Sequence, residues 1–158
     1  MRKSEVEKVL RRTQSRKVAK FGIEKTASDT LENEGTLIQF LGHLFEIMDT
    51  QDYNRTNADR NRKIVPHSKH VNPGTDAIRL RDGKFAGAIQ QTISSDPRNN
   101  HRKLDGKTTV RIPKGTVPKK HRKPTRIEES NISRKQLEKR AKTGLTKLAR
   151  KGESNECA

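Results

Sequence analysis

Thr36-Leu37-Ile38-Gln39-Phe40-Leu41-Gly42-His43-Leu44-Phe45-Glu46-Ile47-Met48 carries the strongest periodic signal in the chain, and the fold turns on how it is read. Leu37, Leu41, Leu44 and Met48 recur at intervals of 4, 3 and 4, the spacing of one helix face, with Ile38, Phe40, Phe45 and Ile47 beside them. An apolar stripe this wide exceeds what a single solvent-facing helix can present. It predicts burial against a partner chain or against both neighbouring elements, because the flanking sequence offers few apolar side chains to cover it.

Upstream, Ser4 followed by Glu7 is a capping-box pattern ahead of Val6, Val9 and Leu10, which predicts a short amphipathic helix. Downstream, Arg62-Lys63-Ile64-Val65-Pro66 is a β-branched pair stopped by proline and reads as a short extended loop. Asn72-Pro73-Gly74 is a turn. Asp76-Ala77-Ile78-Arg79-Leu80 and Phe85-Ala86-Gly87-Ala88-Ile89 then read as one more short, weakly helical stretch broken by Gly83 and Gly87. The expected order is short helix, basic loop, long apolar helix, basic extended loop, short helix. The fold class this implies is all-α, a small helical domain over residues 1–96.

Composition limits what such a domain can do. Of 158 residues only 28% are hydrophobic and 35% are charged, so a large buried core is excluded. Thirty-six Lys and Arg against 19 Asp and Glu leave a net charge of +17, a self-repelling surplus that calls for a polyanionic partner. With no Trp, one Tyr, four Phe and a mean hydropathy of −1.08, the chain lacks the aromatic content expected of base-stacking platforms or of a concave, apolar small-molecule pocket. No apolar run approaches the roughly 20 residues of a spanning helix, and no secretory leader is visible at Met1. No catalytic motif, cofactor signature or small-molecule substrate is indicated. The single Cys157 cannot form an internal disulfide, and His67 and His70 stand in a loop between Pro66 and Pro73 without further ligands at metal spacing.

The charge is unevenly placed. Residues 98–152 carry 19 Lys and Arg against 4 Asp and Glu, whereas residues 1–97 are nearly balanced at 17 against 13. A boundary near Asp96-Pro97 separates a part able to fold from a basic part suited to lying along phosphates. In the basic part, residues 97–132 read as an extended, proline-containing segment, with Arg111, Lys114, Lys119, Lys120, Arg122 and Lys123 among its cations and Pro113, Pro118 and Pro124 holding it open. Lys119-Lys120-His121-Arg122-Lys123 also fits a nuclear-import pattern. Ser133 with Gln136 opens a second capping box over residues 133–151, where Leu137, Ala141, Leu145 and Leu148 follow at 4, 4 and 3 with Lys and Arg on the other face. Gly144 weakens this helix. Residues 152–158 read as a disordered terminus.

The series Leu37-Ile38-Gln39-Phe40-Leu41 to Phe45-Glu46-Ile47, then Arg62-Lys63-Ile64-Val65-Pro66, Ala77-Ile78-Arg79 and Ile89-Gln90-Gln91-Thr92-Ile93 resembles the histone-fold family. The series looks like a diverged A-type core histone, and its last element looks most like that chain's Z variant. Leu44-Phe45, Asn54-Arg55-Thr56-Asn57-Ala58 and His70-Val71 are similar to the small W-type centromere histone-fold protein. The resemblance implies heterodimerisation with a histone-fold partner through Leu37, Leu41, Leu44, Phe45 and Met48. It also implies phosphate contacts from Arg16, Lys17, Arg62 and Lys63, and a nuclear, chromosomal location. The expected function is a DNA-binding chromatin protein that grips phosphate without reading bases. A ribosomal or ribosome-assembly protein threading basic extensions into rRNA is the alternative that the C-terminal third suits equally.

Overall fold

The computed structural model describes residues 4–66, 77–94, 108–116 and 126–156, the last six as backbone only. These residues form five α-helices, one 3-10 turn and a five-stranded sheet, so the chain is not all-α. It divides into two compact units, residues 1–44 with 135–158, and residues 45–134. Neither unit follows the boundary near Asp96-Pro97 that the charge distribution suggested.

The first unit is helical. Helix α1 (Glu5–Thr13) starts where the Ser4 hydroxyl accepts the Glu7 backbone N–H at 3.1 Å, and it buries Val6, Val9 and Leu10. Helix α2 (Ser15–Phe21) buries nothing and stops at Gly22, whose φ is +89°. Helix α3 (Ile23–Glu32) buries Thr26, Ala27 and Thr30, and both threonine hydroxyls donate back to carbonyls four residues earlier, at 2.7 and 2.8 Å. Helix α4 (Glu34–Thr56) gives its first part to this unit, including buried Phe40, Leu41 and Leu44. Helix α5 (Arg134–Glu156) spans the stretch with the second capping pattern and buries Leu137, Ala141, Leu145 and Leu148. Its Gly144 is a contact point: a Cβ there would stand 2.5 to 2.8 Å from the Val6 side chain, so α1 and α5 approach closely only because residue 144 has none.

The second unit is the sheet with the remainder of α4. Its strands are β1 (Arg62–Pro66), β2 (Ala77–Arg81), β3 (Lys84–Gln91), β4 (Thr108–Lys114) and β5 (Arg126–Ser133), in spatial order β1-β2-β3-β4-β5. The first three strands form an antiparallel meander, and β4 and β5 add in parallel. Tyr53, Ile64, Ala77 and Ile89 make one apolar cluster, and Phe45, Val110 and Ile112 are also buried. Asn54 on α4 donates to the Ile64 carbonyl at 2.9 Å and accepts the Ile64 N–H at 2.7 Å. One side chain thereby occupies edge groups that β1 would otherwise leave open.

Several expectations are corrected here. Arg62–Pro66 is a strand rather than a loop, and residues 77–91 form a hairpin rather than a third helix. The reason lies at Asp82-Gly83, where φ values of +52° and +78° make a two-residue turn of the type that matches strand twist. Ile78 and Leu80 fit a strand as well as a weak helix, and the turn chemistry decides between them. Most of the wide stripe on α4 is covered within the single chain: Phe40, Leu41, Leu44 and Phe45 are at most 3% exposed and Leu37 and Met48 are half-buried, while Ile38 is 44% exposed. No histone partner is needed to hide it, and the histone-like organisation is absent. Residues 97–132 are likewise not one extended segment, because β4 and most of β5 lie in them.

Candidate nucleic-acid interface

Two sets of cations have opposite fates. The first is internal, at the contact of α4 with the sheet in the second unit. Arg111 on β4 sits in a run of β-branched residues, Thr108-Thr109-Val110-Arg111-Ile112, that forms a central strand and carries the guanidinium inside. Arg111 donates from Nε and Nη2 to the two carboxylate oxygens of Asp49, at 2.7 and 2.8 Å, the bidentate fork that only arginine provides. Its Nη1 donates to Glu128 on β5 at 2.7 Å, and Arg79 on β2 donates to the same Glu128 oxygen. Gln91 and Ser130 complete the Asp49 shell at 2.9 and 2.6 Å. The Tyr53 ring faces both guanidinium groups, 4.9 Å from Arg111 and 5.3 Å from Arg79.

Burial alone would raise the Asp49 carboxyl, but the bonds and charge of Arg111, with Gln91 and Ser130, outweigh it and hold the group below its ordinary value. Glu128 is balanced the same way: burial pushes it up, and Arg79 and Arg111 bring it below the ordinary range. For Arg111 burial works downward and the two carboxylates more than restore it, leaving its pKa raised. Asp49 is fully buried and meets four donated bonds, so it offers no free lone pair to a substrate. The cluster ties α4 to four strands of the sheet, with Arg79 on β2, Gln91 on β3, Arg111 on β4 and Glu128 and Ser130 on β5. Among the described residues no group of three or more His, Cys, Asp or Glu could hold a metal ion.

The second set is external. On α5 the buried residues fall along one face, and Lys135, Lys139, Lys142, Lys147 and Arg150 are exposed on the opposite one. None of these five has an ion-pair partner among the described residues, whereas Arg140 beside them pairs with Glu5 at 3.3 Å. Like charges at i, i+4, such as Lys135 and Lys139, weaken an isolated helix. The apolar stripe beneath therefore supplies the stability that the outer face gives away.

The cations that the sequence nominated are scattered. Arg16 and Lys17 are exposed, but on helix α2 rather than in a loop. Arg62 and Lys63 stand at the start of β1, half-buried and exposed respectively, and Lys114 is exposed at the end of β4. Arg111 is 6% exposed and held by two carboxylates, which corrects its assignment to phosphate. Lys119, Lys120, Arg122 and Lys123 lie outside the described residues. Asp49, Tyr53, Arg79 and Glu128 were missed by sequence reasoning. The signal available for them was an arginine embedded in a β-branched run, which a solvated tail does not need.

No protein-family model, curated protein or solved structure matches this chain. Among the described residues no helix is long and apolar enough to cross a membrane.

Proposed function

We propose that the protein binds nucleic acid through the phosphate backbone, without reading base sequence, and that the outer face of α5 is its main contact. The observation that carries this reading is the division of α5 into a buried leucine stripe and an opposed face of five unpaired cations. A net charge of +17 gives the long-range attraction, and a rigid helix sets the cations at fixed spacing. The preference for DNA over RNA rested on the histone resemblance and has no support apart from it, so both polymers belong in the test.

Fluorescence anisotropy of the full chain against labelled duplex DNA of two unrelated sequences, and against RNA, is the direct measurement. Equal affinity for the two sequences is expected. So is a log–log salt slope of about −4 to −5, near −0.9 for each phosphate neutralised. Reversing Lys135, Lys139 and Lys142 to Glu should flatten the slope by about 3 and leave helicity intact. A slope near zero, or a triple variant that binds as tightly as the wild type, would refute the proposal.

A further inference from the structure

Where α4 gives way to β1, the edge strand of the sheet, the chain encloses a cleft with fixed walls. Helix α4 ends at Thr56, the 3-10 turn Ala58–Arg60 follows, and Asn61, at φ +52°, turns the chain into β1. Hydrogen bonds pin each wall. The Arg62 N–H donates to the Asn57 carbonyl at 3.3 Å, the Asp82 N–H of the hairpin turn donates to the Asn61 carbonyl at 2.9 Å, and the Asn54 amide holds both backbone groups of Ile64. The space between them is about 370 Å³, within the size range of small-ligand pockets.

The charge there is of one sign. Arg62 and Lys63 line the cleft and no carboxylate does. The two residues alternate to opposite faces of β1, but the cleft opens along the outer edge of that strand, so both reach it. Arg62 also heads a cross-strand row on the Arg79 face of the sheet, where it stands opposite Arg81 and Arg81 stands opposite Lys84. Like charges directly opposite one another destabilise a sheet. Two residues inward on β2, Arg79 is answered by Glu128, whereas Arg62, Lys63, Arg81 and Lys84 have no ion-pair partner among the described residues. Asp59 and Asp82 are close in the chain and exposed, yet neither lines the cleft or pairs with these cations. Stability is given up here with no return inside the chain, which marks a surface shaped for an external anion.

We propose that this cleft is a phosphate-binding site in which Arg62 and Lys63 contact the phosphate oxygens and Arg81 and Lys84, behind them in the row, strengthen the field. A guanidinium fork and an ammonium can each take different oxygens of one phosphate; a carboxylate, with two oxygens and a single charge, leaves one of the cations unanswered. Ala58, Leu80 and Gly83 give the rest of the lining no charge, so the organic part of a phosphate ester meets no repulsion there. The site lies wholly in the sheet unit and does not rest on the α5 reading. The same chemistry is offered by a free phosphorylated compound and by a phosphate within a nucleic-acid strand, and the experiment separates the two.

The probe is inorganic pyrophosphate, titrated into the full chain while backbone amide resonances are followed. Asn61, Arg62, Lys63 and Gly83 should shift together along one saturable curve. Combining Arg62→Gln with Lys63→Gln should weaken that binding at least about tenfold. Ala58→Phe, which fills the cleft and leaves its charge alone, should weaken it comparably, and reversing Lys135, Lys139 and Lys142 to Glu should leave it unchanged. Pyrophosphate should also raise the denaturation midpoint of the wild type and not that of the Gln variant, a readout that requires both to be folded. Displacement of pyrophosphate by a saturating nucleic-acid strand makes a backbone phosphate the occupant, and retention makes it a free phosphorylated compound; either upholds the site. Shifts spread over the surface cations without saturation, or a Gln or Ala58→Phe variant that binds as tightly as the wild type, would overturn it, while the α5 reading stands or falls on its own salt slope.

Discussion

In the helical unit the basic residues of α5 stand outside a stripe of Leu137, Ala141, Leu145 and Leu148, whereas in the sheet unit Arg111 stands inside, clasped by Asp49 and Glu128. Both belong to the same cation-rich C-terminal third, and the difference is what the neighbouring element offers. The α5 stripe leaves its opposite face nothing to do but meet solvent. β4 runs between two other strands beneath α4, so its arginine has no route to water and survives there only because carboxylates from α4 and β5 meet it. A positive residue count therefore overstates the charge that the surface presents.

Removing Asp49 breaks the comparison most severely. Asp49→Ala leaves the buried Arg111 with Glu128 alone and should cost about 3–5 kcal/mol in chemical denaturation. Combining Asp49→Leu with Arg111→Met should recover most of that loss, since apolar residues of similar volume often replace a buried ion pair without penalty. If the double variant is as unstable as the single one, the pair is more than a strut.

The same network sets a pH dependence. Asp49 and Glu128 both have folded-state pKa values below their ordinary ones, so the unfolded chain binds more protons in acid. Their stabilisation is complete above the ordinary carboxylate range near pH 4 to 5 and is lost as pH falls through it toward the lowered values. Denaturation midpoints between pH 2 and 7 should show this decline, and the double variant should show a shallower one.

The helical unit yields smaller effects. Gly144→Ala would ordinarily gain about 1 kcal/mol of helix propensity, but the new methyl would meet the Val6 Cβ at 2.7 Å, which is not a flexible tip. Overpacking should win, with a net loss of about 1–2 kcal/mol, and Val6→Ala in the same chain should relieve part of it. Ser4→Ala removes the α1 cap and should cost about 1 kcal/mol, with the loss visible as earlier thermal unfolding.

Part of this architecture could be read directly from the residues. The Ser4–Glu7 pattern marked the start of α1, and the spacing of Leu137, Ala141, Leu145 and Leu148 marked the buried face of α5. The hairpin was also present, in Asp82-Gly83 between two apolar strands, but a breaker reading of Gly83 hid it. The candidate site was less visible. Lys135, Lys139 and Lys142 follow from the polar face of a legible helix, whereas the cleft at Arg62 and Lys63 is closed by a bond from Asp82 to Asn61.

The sequence by itself determined the charge excess and the helices with sharp caps and clean periodicity, because these depend on composition and on neighbours within a turn or two. Only the tertiary structure decided that most of the α4 stripe is covered within the chain, that Arg111 is an internal strut, and that Arg62 and Lys63 line one cleft. Those outcomes depend on pairings between residues as far apart as Asp49 and Arg111, and a period of two or 3.6 along the chain carries no information about which distant carboxylate a buried arginine will find.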